Sequence, residues 1–94
     1  MKLKVLTSFR DKLNIQIEFI AKDKPLAARK FKSELISKIK EIPQMPYMHR
    51  KSIFFDREDI RELIHKGYII VYKVNEKESA IEVFGFTKYE ENPF

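Results

Sequence analysis

Tyr68-Ile69-Ile70-Val71-Tyr72-Lys73-Val74 is apolar at both odd and even positions and rich in β-branched and aromatic side chains. Successive side chains of a strand point to opposite faces, so this run carries two apolar faces and needs cover on both. It predicts a central strand opened by Gly67. The polar residues 75–79 predict a turn, and residues 80–86 predict an antiparallel partner strand, because so short a polar joint closes a hairpin.

What covers that sheet is written in the first half of the chain. Phe9, Leu13, Ile17 and Ile20 recur at helical spacing, with Ser8 as the expected N-cap. Asp23-Lys24-Pro25 marks a break and a new start, with Asp23 able to cap and Pro25 suited to a first helical turn. Ala28, Phe31, Leu35, Ile39 and Ile42 then step by three and four, predicting a long amphipathic helix over 25–42 that Pro43 ends. Before both helices, Lys2-Leu3-Lys4-Val5-Leu6 alternates like a short edge strand with its lysines in water. Residues 50–56 hold the run Ile53-Phe54-Phe55, which suits either a strand or a packed loop. Residues 57–64 fit both a helical stripe (Ile60, Leu63, Ile64) and an alternating strand. The expected class is α+β: a small antiparallel sheet with an N-terminal helical hairpin packed on it, in one domain over 1–94.

With no cysteine, neither a disulfide nor a thiolate metal site is available, and the eight Phe and four Tyr must supply the core. No segment approaches the roughly 18 apolar residues of a membrane span, and the start lacks a signal-peptide pattern; a cytoplasmic location is expected. Residues 22–51 carry nine Lys or Arg against three acids, a local surplus of +6 in a chain of net charge +5. Such a segment favours polyanions or acidic protein partners over a neutral ligand, although a solvated helix face has the same composition.

Most catalytic signatures are missing. Two glycines cannot build a phosphate-cradling loop, and His49 and His65, both expected in loops, lack metal-ligand spacing with other donors. No cofactor and no metal are therefore expected. Residues 66–73 begin like the aromatic strand of an RNA-recognition motif, but the stacking aromatics wanted at Ile70 and Lys73 are absent. A small RNA-binding domain remains an alternative reading.

Four pieces, in order, resemble the RelE/ParE superfamily of toxins. They are the helical stretch Phe19-Ile20-Ala21-Lys22-Asp23-Lys24-Pro25-Leu26-Ala27-Ala28-Arg29-Lys30-Phe31, then Arg61-Glu62-Leu63, then residues 67–74, then the closing strand 81–86 followed by Lys88 and Tyr89. The resemblance runs from about residue 3 to 90. It implies a β-α-α-β-β-β order with three or four antiparallel strands. It also places Arg61-Glu62-Leu63 on a strand, joined to the central one through a turn at His65-Lys66.

The resemblance further implies the toxin of a type II toxin–antitoxin pair, which poisons either translation or DNA gyrase and is neutralised by a cognate antitoxin. Neither a membrane nor a small-molecule substrate is expected as partner. RelE-like members cleave messenger RNA on the ribosome without metal, which requires proton transfer and a cation near the strained phosphate. Their central-strand arginine is replaced here by Ile69. The remaining catalytic candidates are Arg61, Lys88 and Tyr89, and the candidates for RNA contact are Arg50 and Lys51. Arg61 could instead pair with a carboxylate such as Glu82. Lys30 and Lys38, on the basic helix, are the candidates for steering an antitoxin. A toxin-like binder without activity is the reading from a third class.

Overall fold

The two-faced apolar run is the centre of the molecule. In a computed structural model, which describes residues 1–88, Ile69, Ile70, Val71 and Tyr72 have no solvent exposure. The elements in chain order are β1 (Lys2–Val5), α1 (Thr7–Asp23), α2 (Pro25–Glu41), a 3-10 turn (Ile42–Gln44), β2 (Arg50–Lys51), β3 (Ile60–His65), β4 (Tyr68–Asn75) and β5 (Ala80–Lys88). The sheet order is β1-β5-β4-β3-β2.

The sheet therefore has five strands rather than three or four, and it is mixed. β1 runs parallel to β5, with Lys2 opposite Ala80 and Val5 opposite Val83, while the other pairings are antiparallel. Parity explains the direction. Seven segments that reverse at each junction leave the first and the last pointing the same way. Without the two-residue β2 the count would be six, and β1 would oppose β5.

Both helices pack on one face of the sheet. Phe9 and Leu13 of α1, and Ala28, Phe31, Leu35 and Ile39 of α2, are buried, joined by Ile42. They meet Leu63, Ile70, Tyr72, Val74, Ile81, Val83 and Phe86; Ile17 and Ile20 are only partly buried against this core. The expected caps differ. α1 starts at Thr7 with Leu6 at its N-cap, and Ser8 instead donates its hydroxyl to the Phe84 carbonyl at 3.4 Å. Asp23 is the last residue of α1, and the joint is Lys24 alone, whose N–H donates to Ile20 and whose carbonyl accepts from Ala28, both at 2.9 Å. The one-residue joint puts Lys24 at the N-cap of α2, where a lysine has no acceptor with which to cap, and Pro25 at the first turn needs no partner for its own nitrogen.

The β3–β4 turn is Lys66-Gly67, one residue later than the resemblance implied. Both have positive φ (47° and 83°), as a two-residue primed hairpin turn requires. His65 thereby becomes the last residue of β3, opposite Tyr68. On the sheet's other face Ile60, Ile69 and Val71 form a second core with Phe54, Phe55 and Phe84. Gly85 sits opposite Val71, beside a bulge that gives β5 one extra residue, Phe84. Among the described residues no helix is long and apolar enough to cross a membrane.

Candidate functional site

The face of the sheet away from the helices is where Ile69 points, and a strap of residues 52–55 lies over it. Glu62, fully buried, anchors the strap. Arg50 donates to its Oε1 from Nε at 2.7 Å and Nη2 at 2.6 Å, and the Ser52 hydroxyl donates to its Oε2 at 3.0 Å. Ser52 in turn accepts the Phe54 N–H at 3.2 Å, so one buried carboxylate fixes the turn that drops Phe54 and Phe55 onto the second core. A buried carboxylate with its acceptors filled is tolerated; one without them is not.

Arg61 lies on the opposite face, since its cross-strand partner is Tyr72 whereas Ile69 faces Ile64. It does not reach Glu82, which sits opposite Lys73 and Lys4. Its guanidinium donates to the Glu58 carbonyl (2.9 Å), the Glu58 carboxylate (3.1 Å) and the His49 carbonyl (3.2 Å), and it stands 5.1 Å over the Tyr47 ring. Lys51 pairs with Asp56 at 3.1 Å and Glu58 at 3.7 Å, and the hydrogen bond to Asp56 pushes its pKa up.

Lys88 is exposed and lines a groove with Lys12, Gln16, Tyr68 and Phe86, the last two rings stacked at 5.1 Å. It faces Tyr68 at the start of β4, four residues before Arg61's partner Tyr72, so the two cations flank different sides of β4 about 13 Å apart along the strand. Arg50 and Lys51 lie on β3's side too. The fold does not gather these cations with Lys88. Tyr89 lies outside the described residues.

His49 is half-buried in the connection before β2, as expected of a loop residue, whereas His65 ends β3. His65 is buried against Phe31 (ring centroids 5.3 Å), with Nε2 4.0 Å from Glu34 and no hydrogen-bond partner for either ring nitrogen. His49 stands edge-on to Tyr72, whose hydroxyl donates to the Pro46 carbonyl at 2.7 Å; burial pushes the Tyr72 pKa up. Among the described residues no three His, Asp or Glu side chains group as metal ligands.

The helical hairpin supplies the open surface. Between β1, α1 and α2 runs an apolar groove floored by Val5, Phe9, Leu13 and Ile36 and rimmed by Arg10, Asn14 and Lys32. Beside it Arg29, Lys32, Ser33, Ser37 and Lys40 surround Ile36 on the outer flank of α2. Lys30 and Lys38 are on the other flank. Lys30 lies 3.9 Å from Glu34, which also holds Lys66, and Lys38 borders a separate groove with Glu41, Met48, His49 and Arg50. Helical-wheel arithmetic would have found the difference: at about 100° per residue, Arg29, Lys32 and Lys40 share a flank with no acid, while Lys30 and Lys38 share theirs with Glu34 and Glu41.

No curated protein matches the chain. The sequence model of one family, described as the ParE toxin of the type II toxin–antitoxin system parDE, matches residues 3–93. Nearly the whole chain is covered, including both helices, β2 to β5 and all of β1 but Lys2, and the chain belongs to this family of the RelE/ParE toxin superfamily.

Proposed function

We propose that this type II toxin arrests growth in the cytoplasm by engaging DNA gyrase, and that a cognate antitoxin neutralises it by seating an acidic amphipathic segment in the hairpin groove. Ile69 carries the choice of target. It stands where RelE-like nucleases have a strand arginine, it is fully buried, and Phe54 and Phe55 pack into the same cluster. Cleavage through the 2′-hydroxyl needs an open cationic surface that can meet a strained phosphate. Here Arg50, Lys51 and Arg61 are each held on a carboxylate. The matching ParE family model supports the same choice.

The groove suits helix-in-groove recognition, with apolar anchors for the floor and acidic residues for the Arg10 and Lys32 rim. Expression of the chain alone should arrest growth, and co-expression of the adjoining antitoxin gene should restore it. In a purified supercoiling assay the toxin should inhibit gyrase while messages in arrested cells keep intact 5′ ends. New 5′ ends at codon boundaries, abolished by Lys88→Ala and separately by Tyr89→Phe, would instead establish ribosome-dependent cleavage with Lys88 and Tyr89 as its donors. Unaffected gyrase together with intact messages and normal growth would leave an inactive binder.

A further inference from the structure

The outer flank of α2 gathers three cations with no acid among them. Arg29, Lys32 and Lys40 are exposed, none makes an ion pair among the described residues, and the residues between them are Ser33, Ser37 and the half-buried Ile36. No carboxylate borders this concavity. Glu34 and Glu41, the acids of α2, face the other flank, where Glu34 pairs with Lys66.

We propose that this flank binds the phosphate backbone of duplex DNA through Arg29, Lys32 and Lys40. The side chains offer positive charge and hydroxyl donors, the groups that grip phosphate oxygens without reading bases. Lys32 and Ile36 also border the antitoxin groove, but Arg29, Ser33, Ser37 and Lys40 beyond them offer a protein no apolar anchor, and interfaces draw their affinity from buried anchors; antitoxin and DNA would therefore compete for Lys32. From Arg29 to Lys40 the helix rises about 16 Å, a length over which one DNA strand presents about five phosphates. No aromatic ring stands on the flank to stack unpaired bases, which favours duplex over single strand. The inference rests on the gyrase reading only for choosing DNA over RNA, and binding is measured without gyrase, so either can fail alone.

The test is fluorescence anisotropy of the full chain with a labelled duplex of about 20 base pairs, long enough to offer those phosphates, across about 50 to 200 mM salt. Three phosphate contacts predict a log–log slope of about −2.7, a loss of roughly 40-fold over that range. The triple variant Arg29→Gln, Lys32→Gln, Lys40→Gln should lose binding. Lys40→Gln alone should flatten the slope by about 0.9, whereas Lys30→Gln on the other flank should leave it unchanged. Absence of salt-dependent binding by the wild type overturns the proposal, as does a triple variant of unchanged slope. Tighter binding to an RNA duplex or to single-stranded DNA also overturns it. So does capture of an acidic helical peptide with duplex DNA ignored, which would give the face to a protein.

Discussion

Arg50 grips the buried Glu62 carboxylate by Nε and Nη2 at 2.7 and 2.6 Å, both on the same oxygen, leaving the other oxygen to Ser52. This pair ties β2 to β3 and, through Ser52, holds the aromatic strap over Ile69. Arg50→Met removes the cation and leaves a charged, buried carboxylate with only Ser52 to bond it. Breaking a buried pair in this way costs about 3 kcal/mol here, the low end of the usual range because Arg50 is 42% exposed. Urea unfolding should show that loss, and near-ultraviolet circular dichroism should show loosened Phe54 and Phe55. A loss under about 1 kcal/mol, the size of an ordinary hydrogen bond, would mean that the aromatic contacts alone hold the strap.

Gly85 is fixed by a close approach. A Cβ built there would stand 3.0 Å from the Cβ of Val71, both on the β4–β5 pairing, and the neighbour is side-chain stem rather than a flexible tip. Gly85→Ala should destabilise the fold by about 1–3 kcal/mol through overpacking. Val71→Gly in the same chain, which removes the opposing Cβ, should recover part of that loss, so the double-mutant cycle gives a coupling of opposite sign to the single effects. Additive losses would place the strain elsewhere in the bulge.

The pattern of apolar residues made most of the architecture legible: β4 as the centre, the stripes of α1 and α2, and the α+β layering all follow from side chains that repeat at two or at 3.6 residues. β2 escaped because two residues have no period, and with it went the parity that makes β1 parallel to β5. Lys66-Gly67 was missed as the turn by one residue, because Lys66 at positive φ is unusual for a side chain with a Cβ. For the site, residue type pointed to Arg61, Arg50 and Lys51, but which cations are already paired depends on contacts such as Glu58 and Glu62 that strand pairing brings close. Arg29, Lys32 and Lys40 were legible in principle, from the wheel alone.

His65 makes stability pH-dependent near neutrality. Burial, then Lys38 and Lys66, push its pKa below the usual 6.5, with Glu34 opposing; across the hairpin it faces Tyr68. The folded state thus holds the neutral ring, while the unfolded chain takes a proton as pH falls through about 6.5. Stability should be level above about pH 7.5 and fall below 6.5, by at most about 1.4 kcal/mol per pH unit for this group. His49, also lowered by burial and Lys38, adds in the same direction. Its carbonyl and ring stay in place in His65→Phe, which should therefore remove only part of the slope. Chemical denaturation at about pH 7.5, 6.5 and 5.5 measures this, in a window above the carboxylate range. A variant with the wild-type slope would mean that His65 binds its proton equally well folded and unfolded, and a steeper fall in the variant would mean that Glu34 draws the folded His65 up.

The antitoxin's encounter surface separates the two flanks of the basic helix. If the groove of Val5, Phe9, Leu13 and Ile36 is the seat, its rim cations steer the approach of an acidic segment and its floor holds the complex. Arg10→Glu with Lys32→Glu should then slow association by about ten-fold at low salt and flatten its salt dependence, with the dissociation rate nearly unchanged. Leu13→Ala should do the reverse, raising dissociation while leaving association alone, provided the variant is shown to be folded. Lys30→Glu with Lys38→Glu alters the flank that already carries Glu34 and Glu41, and should slow association much less. Stopped-flow rates with the adjoining antitoxin from about 50 to 300 mM salt decide between the flanks, because screening weakens steering over that range. A larger slowing from the Lys30 and Lys38 pair would move the antitoxin to the groove beside His49, and equal slowing would reduce the basic helix to a diffuse field.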